Sequence, residues 1–254
     1  MTTPKESLAI IMPVYNEEGA IAGVLRQWVA MLDTLPDVDC RIHVYNDGSK
    51  DGTARILAEV QRVHAARIVV HDKPNSGHGP TILLGYRENQ ACDWLFQIDS
   101  DGEIGPEKFP GVWHRRHQYD FLIGRRENRF SPPPRRVVSF ISRVTVWSFY
   151  GRGVYDVNCP FRLMRTQKVA PYLAAVPSDA FAPNVILAGL ACRCGWRIYQ
   201  EPVLFHERET GEVSIKKWKL LKAAGRSFAQ TVAFAFSAKT SSSRPSASAS
   251  SDQG

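Results

Sequence analysis

The chain has 254 residues, 44% of them hydrophobic and 22% charged, which is ordinary globular usage and excludes a wholly disordered or fibrous protein. A chain of this length buries a sizeable core without disulfide or metal staples. Its 32 basic and 25 acidic residues leave a net charge of +7, which favours an anionic partner such as a phosphate, a nucleic acid or a membrane surface without choosing among them.

The opening MTTPKES lacks the basic-then-apolar layout of a signal peptide. No run approaches the length of a membrane-spanning helix, so the expectation is a soluble or surface-lying protein. Four short apolar runs follow: Leu8–Val14, Arg41–Tyr45, Arg67–His71 and Trp94–Ile98. Each is rich in Ile and Val and ends in polar or turn residues, as strands buried on both faces do. Between them, Ile21, Val24, Leu25, Trp28 and Leu32 fall on one helical face, as do Ala54, Leu57, Ala58 and Val60. Alternating strand and helix predicts an α/β fold with a doubly wound, mostly parallel sheet. Ligands of such sheets sit beyond the carboxyl ends of the strands.

Beyond residue 124 the pattern changes. FSPPP at 130–134 cannot be helix interior. Helices are predicted over Arg136–Phe149, near Gln167–Val176 and near Asn184–Cys192, then a strand over Arg197–Val203 and a last helix over about Ile215–Phe236. In that helix Trp218, Leu221, Ala224, Phe228, Val232 and Ala235 recur at three- and four-residue steps, behind Lys216, Lys217, Lys219, Lys222 and Arg226. The pattern suits a helix lying in an anionic lipid interface. It equally suits an amphipathic helix packed on its own core. The Ser-, Ala- and Pro-rich end, 239–254, has almost nothing to bury and is expected to be disordered.

The chemistry-bearing residues follow the strand ends. PVYNEE comes after the first, NDGSKDGT after the second, DKPNSGHG after the third and DSDGE after the fourth. Asp99 and Asp101 are hard oxygen ligands two residues apart, suited to Mg²⁺ or Mn²⁺ holding a diphosphate. D-x-D followed by Gly is also ordinary turn chemistry. The segment from Asn46 to Thr53 reads as Asx turns with a helix N-cap, or as polar groups facing a nucleobase. Asn75–Pro80 is a Gly-rich turn that opens a helix and can seat an anion. No G-x-G-x-x-G follows the first strand, and no P-loop or G-x-S-x-G elbow occurs. The five cysteines are odd in number and irregularly spaced, and read as reduced thiols of a cytoplasmic protein. No aromatic stacking platform interleaves the basic residues, which argues against nucleic acid.

Taken together and in this order, these motifs resemble family 2 glycosyltransferases of GT-A fold. DVNCPFRLMR and EPVLFHERETGEVS resemble the branch of dolichyl-phosphate mannose synthases and other polyprenyl-phosphate sugar transferases, and the likeness runs from about Leu8 to Ser214. The resemblance implies one catalytic domain over 1–238, with a donor half at 8–124, an acceptor half at 125–214 and an amphipathic helix at 215–238. It places Pro13, Tyr15, Glu17, Asn46 and Asp47 around the nucleoside. Asn46 stands where the family usually has Asp, and His78 where it often has Lys. Asp99 and Asp101 are the implied metal ligands, and Arg126, Arg135 and Arg208 the implied guanidinium groups for the acceptor phosphate. Seven arginines between 115 and 136 face only Asp120 and Glu127, a crowding that itself suggests an anionic guest.

Many inverting members carry a carboxylate base near position 184, where this chain has Asn184. A sugar hydroxyl needs such a base. A phosphate monoester, ionised at neutral pH, does not. The implied reaction is therefore inverting transfer from a UDP- or GDP-sugar to undecaprenyl or dolichyl phosphate at the cytoplasmic membrane face. The alternatives are transfer to a carbohydrate or protein hydroxyl, and a non-catalytic nucleotide- or membrane-binding scaffold.

Overall fold

In a computed structural model of the chain, residues 5–35, 38–127, 133–205 and 217–237 are described. Side chains in two helices are described from residues 139 and 225 onward. The expected tail at 239–254 and Arg208 lie outside these residues, as does the side chain of Arg135.

The first half alternates as its apolar periods predict. Strands β1 (Glu6–Val14), β2 (Val38–Asp47), β3 (Ile68–Lys73) and β4 (Trp94–Gln97) are separated by helices α1 (Ile21–Leu32), α2 (Thr53–Val63) and α3 (His78–Glu88). Then follow α4 (Phe109–His114), β5 (Phe121–Glu127), α5 (Pro133–Phe149), β6 (Arg162–Arg165), α6 (Thr166–Leu173), α7 (Pro183–Arg193), β7 (Ile198–Leu204) and α8 (Lys217–Ser237). The strands form one sheet of order β3-β2-β1-β4-β6-β5-β7. β1 pairs in parallel with β2 and β4, and β5 with β7, while β6 runs antiparallel to both β4 and β5. The sheet is thus mostly parallel, with one reversed strand.

β1 is buried at every position from Leu8 to Val14 because both of its faces are covered. Trp28 of α1 packs on Phe96 and Phe109 at ring distances of 5.4 and 5.7 Å. On the opposite face α3 comes so close that a Cβ built at Gly85 would lie 2.5 Å from the Ile11 side chain. All five cysteines are free thiols.

Three local expectations differ from the structure. β2 continues through Asn46 and Asp47, so these two residues end a strand instead of opening a turn, and the N-cap of α2 is Gly52 with no side-chain cap. β5, β6 and the six-residue α4 carry no clear sequence period. In the described part of α8 the buried face is Ser227, Thr231, Phe234 and Ala235, whereas Phe228 is 46% exposed. That buried face rests on α5 and α7: Thr231 C=O accepts from Tyr150 Oη at 2.7 Å, and Ala235 C=O from Arg193 at 2.7 Å. Among the described residues no helix is long and apolar enough to cross a membrane.

Candidate active site

The carboxyl ends of β1, β2 and β4 open on a cleft of about 340 Å³. Its lining includes Pro13, Tyr15, Glu17, Asp47, His78, Asp99 and Asp101. Seven of the sequence-predicted site residues therefore share one cavity although they come from four separate loops.

Backbone hydrogen bonds to polar side chains join the first two loops into one rim. The Asn16 N–H donates to Ser49 Oγ at 3.0 Å, and Asn16 Oδ1 accepts from the Lys50 N–H at 2.8 Å. The Glu17 N–H donates to Thr53 Oγ1 at 2.9 Å, and the Glu18 carboxylate accepts from the Gly52 N–H at 2.6 Å. Asn16 adopts the left-handed conformation (φ 54°) that makes this turn, one that asparagine tolerates better than most residues.

Asp47 anchors the third loop. Its carboxylate accepts from Lys73 Nζ and from the N–H groups of Ser76 and Gly77, both at 2.8 Å. Burial pushes its pKa up, but Lys73 and the two N–H donors outweigh burial and hold the carboxyl below its usual range. Asn75 Nδ2 bonds the Asp47 carbonyl at 2.8 Å. The next residue must be glycine: Gly48 has φ 68°, and a Cβ there would sit 2.8 Å from the Asn75 nitrogen. Asn46, expected beside the nucleobase, is not part of the cleft lining. It is 4% exposed, its amide donates to Asp72 at 2.8 Å, and its Oδ1 accepts from the Ser49 N–H at 3.2 Å.

At the fourth strand end both readings of the D-x-D sequence hold at once. Asp101 Oδ1 accepts from the Glu103 N–H at 3.1 Å, with Gly102 at φ 73°, so a turn is present. Asp99 and Asp101 also face the cleft with Ser100 between them. His78 Nε2 lies 3.5 Å from Asp99 Oδ1. Among the described residues no group of three or more His, Cys, Asp or Glu is placed to hold a metal unaided. Two hard carboxylates fit a Mg²⁺ or Mn²⁺ whose other ligands come from a diphosphate and water.

A buried polar chain supports Asp99 from below. Gln97 Nε2 donates to Asp99 Oδ1 at 2.8 Å, and Gln97 Oε1 accepts from Asn184 Nδ2 at 3.0 Å. Asn184 Oδ1 accepts from the Tyr86 hydroxyl at 3.1 Å. Fully buried Arg162 donates to the carbonyls of Asn184, Cys159 and Val157. Burial pushes the pKa of this guanidinium down. Asn184 is thus an interior amide within the site's supporting chain.

Of the three arginines expected on the acceptor side, only Arg126 has a described side chain. Arg126 forks onto Asp156 at 2.7 and 2.8 Å and is almost fully buried, so the donors expected to face a phosphate bind a carboxylate. Burial opposes its charge, but Asp156, and more weakly Asp99, outweigh burial and raise its pKa. The described members of the arginine crowd are also dispersed. Arg116 pairs with Glu6, Arg125 pairs with Glu127, and Arg115 lies over the Tyr199 ring. Sequence reasoning assigned no role to Lys73, Thr81, Gln97 or Asp156. Lys73 had a signal, a lone cation ending an apolar run. Gln97 had none, because its partner Asn184 is distant in sequence, and Asp156 opens the quoted DVNCPFRLMR segment without its pairing to Arg126 being readable.

Residues 9–171 match the sequence profile of the family described as Glycosyl transferase family 2. The chain belongs to this family. It is 30% identical, over 86% of its own length and 63% of the relative's, to undecaprenyl-phosphate 4-deoxy-4-formamido-L-arabinose transferase of Pseudomonas paraeruginosa. The corresponding figures for the Edwardsiella ictaluri protein of the same name are 28%, 84% and 64%. The chain therefore spans a little under two thirds of these relatives.

Among solved structures, it superposes on glucosyl-3-phosphoglycerate synthase of Mycobacterium tuberculosis, crystallised with Mn²⁺, UDP and glucosyl-3-phosphoglycerate. The TM-score is 0.64 at 15% identity, covering 91% of this chain and 80% of that one. Mannosyl-3-phosphoglycerate synthase of Rubrobacter xylanophilus gives 0.64 at 12% identity, covering 96% and 78%. At such identities the likeness is one of fold, and the fold is GT-A.

Proposed function

We propose that the protein transfers a sugar, with inversion, from a nucleotide diphosphate to a polyprenyl phosphate at a membrane surface. The observation that carries this reading is the single cleft in which Tyr15, Glu17 and Asp47 stand beside Asp99 and Asp101. Tyr15, Glu17 and Asp47 line the nucleoside end, and Asp47 keeps the 73–77 loop in place. Asp99 and Asp101 would hold Mg²⁺ or Mn²⁺. Such a cation offsets diphosphate charge and so makes the nucleoside diphosphate a better leaving group. Gln97 and Asn184 fix the orientation of Asp99.

Position 184 supports a phosphate acceptor. Its side chain is a buried amide bonded on both sides, unable to take a proton from a hydroxyl. A phosphate monoester has a second pKa of roughly 6, so at neutral pH it is already largely ionised and can attack without a base to remove a proton. The named relatives act on undecaprenyl phosphate, which supports the same class of acceptor.

The test is incubation of the purified chain with Mn²⁺, undecaprenyl phosphate and a panel of labelled UDP- and GDP-sugars. A labelled glycolipid with one donor is the expected result. Sugar transfer to water or to a hydroxyl acceptor, with none to the lipid phosphate, would overturn the proposal.

A further inference from the structure

Arg143, on α5, is set in a cradle of aromatic rings. Its guanidinium carbon lies 4.3 Å from the Tyr155 ring centre, 5.2 Å from Trp147 and 5.6 Å from Phe140. Its Nε is shut off from water and has no hydrogen-bond partner. Among the described residues no carboxylate forms an ion pair with it. Other arginines of this half have partners: Arg126 pairs with Asp156, Arg165 and Arg197 share Asp120, and Arg162 is met by three backbone carbonyls. A cation stacked on rings yet given no anion is held ready for a ligand that supplies one. Stacking pre-orders the fork and leaves its N–H edge to phosphate oxygens.

The surroundings specify what is attached to that phosphate. Phe140 is 56% exposed and Tyr155 55% exposed, and Ile141 and Val144 on α5 are exposed as well. A free phosphate has no use for this apolar margin, whereas a phosphate carrying a hydrocarbon chain does. Trp147 Nε1 bonds the Val154 carbonyl at 3.1 Å, which fixes the 154–156 segment against α5. The residue after Tyr155 is Asp156, which clamps Arg126. The cradle therefore adjoins the segment that carries Asp156. Residues 135, 139 and 143 are also spaced four apart along α5, on one stripe of the helix.

We propose that Arg143 is a binding residue for the phosphate of a prenyl phosphate, and that Phe140, Ile141 and Tyr155 take the adjoining hydrocarbon. This deepens the reading above and rests on it only for the identity of the reaction. The experiment follows quenching of tryptophan fluorescence in the full chain as farnesyl phosphate, farnesol or inorganic phosphate is added. Arg143→Gln should weaken farnesyl phosphate by about tenfold or more, the loss of one charge-assisted phosphate contact. Arg143→Lys should fall between the two, and UDP–Mn²⁺ affinity should not change.

Ile141→Asn and Val144→Asn alter exposed apolar positions that do not stack on Arg143, and test the margin without risk to the core. They should weaken farnesyl phosphate and leave inorganic phosphate unchanged. Unaltered farnesyl phosphate binding in Arg143→Gln overturns the proposal, as does equal affinity of the parent protein for inorganic and farnesyl phosphate. Failure of the two proposals is distinguishable. Arg143-dependent binding without sugar transfer from any donor removes the reaction and keeps the site. Transfer to a polyprenyl phosphate with KM unchanged in Arg143→Gln removes the site and keeps the reaction.

Discussion

At the scale of single residues, Asp47 and Asp101 have separable roles. Asp47 is structural for the cleft: one carboxylate holds Lys73 and two backbone N–H groups. Asp47→Asn should destabilise the protein by about 1–3 kcal/mol at pH 7, the cost of a lost charged partner in a buried network. The pH dependence follows from the depressed pKa. The carboxylate's contribution is complete above about pH 4, where the unfolded group is also ionised. It is lost as pH falls through the lower folded value. Urea unfolding from pH 7 to pH 2 should show a steep acid limb in the parent and a flatter one in Asp47→Asn. Asp101→Ala should cost less stability than Asp47→Asn, because its carboxylate holds one turn N–H instead of a lysine and two N–H groups. It should lower turnover on the order of a hundredfold or more, because charge stabilisation at the diphosphate is lost. Titration with UDP, with and without Mn²⁺, checks this: in the variant Mn²⁺ should no longer tighten UDP.

At the scale of elements, α3 is placed by its glycines. A Cβ at Gly79 would lie 2.3 Å from the carbonyl oxygens of Ala180 and Phe181, so this first turn of the helix sits directly on the 180–181 loop. Gly79→Ala should lower stability by about 1–3 kcal/mol through overpacking and should disturb His78. Gly23 in α1 has nothing within 4 Å of its Cβ position. Gly23→Ala should be neutral or stabilise by up to about 1 kcal/mol through helix propensity alone. Thermal unfolding of the pair compares the two effects in one protein.

The elements also differ in how far the sequence disclosed them. β1 and β4 are apolar because helices cover both faces, and such runs need no partner to be recognised. β6 is four residues long, and its first residue, Arg162, is a fully buried charge. A strand that interrupts itself with a guanidinium has no apolar period to read. The donor side of the cleft was legible because each loop directly follows a visible strand. The Gln97–Asn184 contact was not, since 87 residues separate partners that only the folded sheet brings together.

At the scale of the whole molecule, α8 belongs to the protein's own core over its described second half. Phe234 and Ala235 are almost fully buried, and the Tyr150 hydroxyl reaches the helix backbone at Thr231. Phe234→Ala should cost about 3 kcal/mol, the usual loss for an aromatic ring removed from an interior. A membrane-only role for this helix predicts no change in aqueous unfolding, so denaturant titration without lipid decides between them.

The reversed strand β6 creates a seam. It sets Arg162 opposite Gln97 in the ladder with β4, and the segment from 154 to 161 consequently returns to the same rim that β4 leaves. Host and graft in any chimera cut between residues 102 and 120 would meet along that seam. Tyr86 and Gln97 would come from one parent, Arg162 and Asn184 from the other. The second half can therefore be exchanged as a cassette only between parents whose residues at 97 and 184 still complement each other.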